Sequence, residues 1–211
     1  MSEIKNIIFD LGGVIINLDP NKTISEFNKL SKTPFEAIYT QLQQSTIFDL
    51  FDKGHISEND FFLELKNVTQ TTATTHELKQ AWNAMLLDFP AHRLELLKKL
   101  KPHYRLFLLS NTNETHITEF ENTLLKTHQL KNLESFFEKV YYSCRMGMRK
   151  PDANIFESVL LENNLKANET IFIDDSPQHV EGALTVGIKA YVLPKEKEVE
   201  ELIKELHLEP V

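Results

Sequence analysis

The stretch IIFDLGGVI, Ile7 to Ile15, is an apolar run broken by one aspartate, Asp10, and followed by two glycines. A lone carboxylate at the end of a β-branched, aromatic-rich strand is placed as a catalytic acid is placed, on a rigid scaffold at the start of a loop. Gly12 leaves no second acid beside it. Gly12 and Gly13 also lack the third glycine and the downstream acid of a dinucleotide-binding fingerprint, so no nicotinamide or flavin site is read here.

Working outward, four more runs resemble the first: RLFLLS (105–110), KVYYS (139–143), TIFID (170–174) and KAYVL (189–193). With NIIFD (6–10) they read as five strands. Segments with helical spacing, 114–125, 152–163 and 177–186, lie between the last four, which predicts an α/β fold with a parallel sheet covered on both faces. The first connection differs, because some 95 residues separate the first two strands. From Pro20 to about Phe89 the spacing is helical: Ile24, Phe27 and Leu30 form one stripe, and Leu78, Trp82, Met85 and Leu86 another. Ser57 and Asp60 predict a helix cap before FFLELKN, and TQTTATT (69–75) reads as a link between helices. The expected organisation is a core of residues 1–17 and 90–211, with a helical domain, 18–89, inserted after the first strand and hinged near Asn17–Pro20 and Phe89–Ala91.

The 211 residues are 41% hydrophobic and carry a net charge of −8 with acids and bases intermixed. That suits a generous core and argues against nucleic acid as a partner. The single Cys144 excludes an internal disulfide and a cysteine-cluster zinc site, and is read as a small, partly buried hydrophobe. No apolar run reaches the ~20 residues of a membrane helix, so no membrane partner is expected and the protein is read as cytoplasmic.

Ligands of open α/β sheets bind beyond the carboxyl ends of the strands. Asp10, Ser110, Asn111, Asp174 and Asp175 stand at those ends, and Lys150, in RKPDANIF, precedes a proline at an expected helix start. Three carboxylates converging on one edge repel unless positive charge joins them. A lysine and Mg²⁺ meet that need, and Mg²⁺ borrows remaining ligands from substrate phosphate. The residue types therefore point to phosphoryl transfer. Each has a plainer reading: Ser110 and Asn111 as a turn, Lys150 as a solvated surface lysine, one of the paired acids as a helix cap. Their joint occurrence favours a site. His55 and His179 also lie where a site is expected, without an assigned role.

The segments FDLGGV, LLSNT, RKPD and FIDDSPQHVEGA, in this order, resemble the four motifs of the haloacid dehalogenase-like superfamily, and the helical insert resembles the cap of its phosphatase-rich branch. The resemblance spans nearly the whole chain. It implies a Rossmann-like core, Asp10 as nucleophile, phosphate binding by Ser110 and Asn111, charge neutralisation by Lys150, and Mg²⁺ held by Asp10, Asp175 and the carbonyl of Gly12. Asp174 would support the metal from the side or through water. A small phosphorylated metabolite, such as a sugar phosphate, is the substrate implied, hydrolysed through an aspartyl-phosphate, with the cap closing over it. The family position two after the nucleophile normally holds the acid that protonates the leaving group. Gly12 stands there, so Asp19 in INLDP is a candidate replacement. Two other readings stay open: a non-catalytic or impaired binding protein, and a carbon–halogen hydrolase. The sequence assigns no oligomeric state.

Overall fold

The computed structural model describes residues 3–32, 34–35 and 47–209. Its five strands are β1 (Asn6–Phe9), β2 (Arg105–Ser110), β3 (Lys139–Tyr142), β4 (Thr170–Asp174) and β5 (Lys189–Val192). All neighbours pair in parallel, in the order β3-β2-β1-β4-β5. Alternation along the strands sorts the core into two layers. Ile7, Phe9, Leu106, Leu108, Ile171 and Ile173 face one side, and Ile8, Phe107, Leu109 and Phe172 the other. β1 and β4 are buried along their whole length, as strands covered on both faces must be.

Helices supply the covering layers. In chain order, among the described residues, they are α1 (Pro20–Leu30), α2 (Ile47–Asp52), α3 (Glu58–Thr69), α4 (Thr75–Asn83), α5 (Ala91–Leu100), α6 (Glu114–His128), α7 (Ser143–Met146), α8 (Ala153–Glu162), α9 (Pro177–Thr185) and α10 (Val199–Glu205). Leu94 and Leu97 of α5, Phe120 of α6 and Leu202 of α10 pack on the first face, and Ile155 and Phe156 of α8 on the second. None of the described helices is long and apolar enough to cross a membrane.

Helices α1 to α4, which follow β1, bury a separate cluster around Phe27, Phe51, Phe61, Leu65, Leu78 and Trp82. Their ends follow local chemistry. Asp19 accepts from Asn21 N at 3.1 Å and caps α1, Ser57 accepts from Asp60 N at 3.1 Å and caps α3, and Thr74 and Glu77 form a reciprocal box before α4. The two chain segments joining these helices to the sheet lie side by side: Asn17 N donates to Asp88 O at 2.9 Å and Asp19 N to Met85 O at 2.9 Å, with Leu18 opposite Leu86.

Two differences from the sequence reading have local causes. Pro151 does not begin a helix; α8 starts at Ala153, and Lys150 sits in the turn before it. Helix α6 runs to His128, past the expected residue 125, because Leu124 stays buried and Gln129 closes the helix in the left-handed conformation.

Candidate active site

The strand order fixes where a site can form. The chain moves from β1 through β2 to β3 on one side and from β4 to β5 on the other, so the switch point lies between β1 and β4. Phe9 is level with Ile173, which brings Asp10 beside Asp174, and Asp10 N donates to Ile173 O at 2.8 Å.

Lys150 enters this edge from the turn before α8 and is fully buried. Its Nζ lies 2.6 Å from Asp10 Oδ1 and 2.6 Å from Asp174 Oδ2. Asn111 fixes the turn that carries it, with Nδ2 donating to Lys150 O and Lys150 N donating to Asn111 Oδ1, both at 2.9 Å. The side chain of Asn111 is thereby committed to the lysine's backbone. Asp174 is just as fully engaged: Ser176 N donates to Oδ1 at 2.8 Å, and His179 Nδ1 lies 3.0 Å and 3.1 Å from its two oxygens. His179 therefore holds the aspartate that holds the lysine. Among the described residues, Asp10 Oδ2 meets no protein donor.

Charge explains the protonation of the group. Burial raises Asp10, Lys150 pulls it down, and Asp174 and Asp175 push it up again, leaving it at about 7. Burial alone would raise Asp174 too, but Lys150 and His179 outweigh it and hold the carboxyl at about 2. Desolvation works against the ammonium of Lys150, yet the two aspartates hold its pKa above the ordinary value. Asp175 is raised by partial burial and by Asp174. One ammonium cannot balance three carboxylates, and ligand oxygens of Asp10, Asp174 and Asp175 all lie within 4.8 Å of one another. The donor set is hard, anionic and one positive group short, which fits a divalent cation with a preference for oxygen.

The turn after β1 is built around this group. Gly13 has φ +70, and a Cβ there would lie 2.4 Å from Asp175 Oδ2, so the glycine makes room for that carboxylate. Gly12 is different. Its φ is not positive, and a Cβ there would meet Leu18 Cδ1 at 2.6 Å.

A cavity of about 610 Å³ opens above these residues, floored by Asp10, Gly12, Ser110, Asn111, Asp175 and His179. The inserted helices contribute Asp49, Asp52 and Trp82, and the sheet side adds Asn113, His116 and Arg149. Of the residues assigned a catalytic, phosphate or metal role from the sequence, all line the cavity except Lys150 and Asp174, which are fully buried, the lysine joining Asp174 to Asp10. Asp19 and His55 do not line it; Asp19 serves as a helix cap, and His55 is exposed. Burial pushes the Cys144 thiol up to about 12, which fits a half-buried packing residue. Asp52, Asn113, His116 and Arg149 escaped the sequence reading. Arg149 stands next to Lys150 and Asn113 caps α6, and those were the available signals.

A family model described as haloacid dehalogenase-like hydrolase matches residues 7–193. The D-ribitol-5-phosphate phosphatase of Bacteroides thetaiotaomicron is 28% identical over 188 residues, 89% of this chain and 91% of that protein. A solved structure of a haloacid dehalogenase-like (HAD) family enzyme from the same organism is 33% identical, with a TM-score of 0.89 over 96% of this chain and 99% of its own. The same enzyme solved with magnesium and inorganic phosphate gives 34% and 0.83, over 94% of this chain and 98% of its own. A HAD-like family hydrolase from Porphyromonas gingivalis gives 32% and 0.87, over 99% of this chain and 100% of its own. The matched span takes in the five strands from Ile7 onward together with Asp10, Lys150 and the Asp174–Asp175 pair, and the chain belongs to the haloacid dehalogenase-like hydrolases.

Proposed function

We propose that this chain is a Mg²⁺-dependent phosphatase of a small phosphorylated metabolite of the sugar or polyol phosphate class. The observation that carries the reading is the state of Asp10. Asp10 lines the cavity; one oxygen is held by Lys150 at 2.6 Å, while the other has no protein donor among the described residues. A carboxylate held this way presents one oxygen to phosphorus.

In this reading Asp10 Oδ2 forms the bond to phosphorus as the ester oxygen departs, giving an aspartyl-phosphate; water then attacks phosphorus, releasing phosphate and regenerating the carboxylate. Asp10 must be ionised to attack, and cation binding beside it lowers its raised pKa. Asp10, Asp175 and the Gly12 carbonyl are the proposed ligands of Mg²⁺, which supplies charge neutralisation for the transferred group. Asp174, whose oxygens are engaged by Lys150, Ser176 and His179, supports the site from behind. The Ser110 hydroxyl is the side-chain group left for phosphate, because the amide of Asn111 is spent on positioning Lys150. Residues 18–89 act as the cap over a core of residues 1–17 and 90–211, turning about the paired links at Asn17–Asp19 and Met85–Asp88.

Support comes from the relatives as well: one is a phosphatase of D-ribitol 5-phosphate, and a neighbouring structure holds magnesium with phosphate. A carbon–halogen hydrolase has no use for a cation-sized carboxylate cluster, and that cluster favours phosphate chemistry. The test is phosphate release over a panel of sugar, polyol, acyl and aryl phosphates, with and without Mg²⁺. Release that stops on chelation and is lost in Asp10→Asn supports the reading. No release from any member overturns it.

A further inference from the structure

The cavity has a second polar region that the chemistry at Asp10 does not use. Asp52, at the end of α2, meets Asn113 Nδ2 at 3.5 Å and Arg149 Nη2 at 3.8 Å, and Arg149 also pairs with Asp49 through Nη1. The Asp52 and Arg149 side chains keep 22% and 24% of their surface accessible, and both line the cavity. Burial raises Asp52 to about 6, opposed by Arg149 and Asn113 and reinforced by Asp49. At neutral pH it is a carboxylate and accepts hydrogen bonds.

The neighbouring Arg149 guanidinium is likewise part-open to the cavity. Among the described residues, its Nε and Trp82 Nε1 have no hydrogen-bond partner, but both atoms are closed off from the cavity, with Trp82 stacked between Phe48 and His116. A ligand that answers this wall must accept from the guanidinium and donate to the carboxylate. Hydroxyl groups do both, whereas an alkyl chain does neither.

We infer that Asp52 and Arg149 form a subsite that reads the hydroxyl groups of a polyol or sugar phosphate. The carboxylate accepts from substrate O–H groups, and the guanidinium donates to substrate oxygens. This inference rests on the phosphatase reading above.

The test compares D-ribitol 5-phosphate with n-pentyl phosphate, which has the same carbon count and no free hydroxyl, in the Mg²⁺-loaded enzyme, with p-nitrophenyl phosphate as the chemical control. The wild type should prefer the polyol in kcat/KM on the order of 10²-fold or more. Asp52→Ala should lower kcat/KM for ribitol phosphate at least about tenfold more than for pentyl phosphate, mainly through KM. Asp52→Asn, which keeps the side chain's shape, should reduce the preference in the same direction if the alanine variant folds poorly. Equal losses on both substrates, or a wild type indifferent to the hydroxyls, would overturn the subsite. Turnover of p-nitrophenyl phosphate without a polyol preference removes only this inference; no turnover of any of the three removes the phosphatase reading with it.

Discussion

Leu18 Cδ1 occupies the position into which a side chain at Gly12 would grow, 2.6 Å from where its Cβ would stand. The glycine's own backbone permits a side chain, since its φ is not positive. What crowds one is the end of a leucine side chain on the link to the inserted helices, which lies opposite Leu86 in a short antiparallel bridge.

It follows that an acid at position 12 must displace the end of the Leu18 side chain, which a second change avoids. Gly12→Asp alone should crowd Leu18 and disturb the link, whereas Gly12→Asp with Leu18→Ala gives the carboxyl its space. In the wild type, with no acid at position 12 to protonate the departing oxygen, rates should track leaving-group pKa, with aryl and acyl phosphates fast and alkyl phosphates slow. The double variant should flatten that dependence and raise alkyl phosphate turnover, toward the roughly 10²–10⁴-fold that general acid catalysis contributes. A wild-type rate independent of leaving group, with chemistry rate-limiting, would mean that another group already donates the proton.

Asp174 and Asp175 should divide their work. Asp174 is tied to Lys150, Ser176 and His179, so Asp174→Asn should lower stability and activity while changing Mg²⁺ affinity less. Asp175→Asn should weaken Mg²⁺ more, as measured by calorimetry on the folded variants. Gly13→Ala, whose Cβ would meet Asp175 Oδ2 at 2.4 Å in a backbone conformation that favours glycine, should also weaken Mg²⁺ and destabilise the fold. A larger affinity loss at Asp174 than at Asp175 would reverse the assignment.

His116 should make stability fall with acid. Buried against Trp82, its imidazole is pushed down to about 4 by desolvation, with the contact to Trp82 O opposing. The unfolded chain binds the proton first, near pH 6.5, so stability rises with pH across the window from about 4 to 6.5 and is lost on going down through it. Between pH 7 and pH 5 this one residue should remove about 2 kcal/mol. Asp52 acts in the opposite sense, since its raised carboxyl takes up a proton in the folded state first. Urea unfolding of wild type and His116→Gln at both pH values separates the two: the variant should lose less stability than the wild type, and an equal loss would remove His116 as the cause.

The strands and the acids at their ends were legible because burial leaves a local mark. Ile7, Ile8 and Phe9 have no solvent-facing side, and an acid after such a run can only stand at a strand end. The inserted helices were legible from the length of the first connection and from stripes such as Leu78 and Trp82. Asp52, Arg149 and His116 were not legible as a wall, because they meet only when α2 packs against α7 and α4 against α6, contacts no spacing encodes. Asp19 shows the converse: its nearness in sequence to Asp10 made it a candidate acid, while its carboxylate is used on the first turn of α1. Helix α5 escaped because Leu94, Leu96, Leu97 and Leu100 follow a proline close to the end of the inserted segment, where one helical stripe runs into the next.

The most direct measurement is the mass of peptides from the wild-type enzyme quenched in acid during turnover of an acyl or aryl phosphate with Mg²⁺. The account predicts a phosphoryl group on the peptide carrying Asp10, localised to that side chain and absent from Asp10→Asn. A phosphoryl group on any other residue, or steady phosphate release by the Asp10→Asn variant at the wild-type rate, would contradict it.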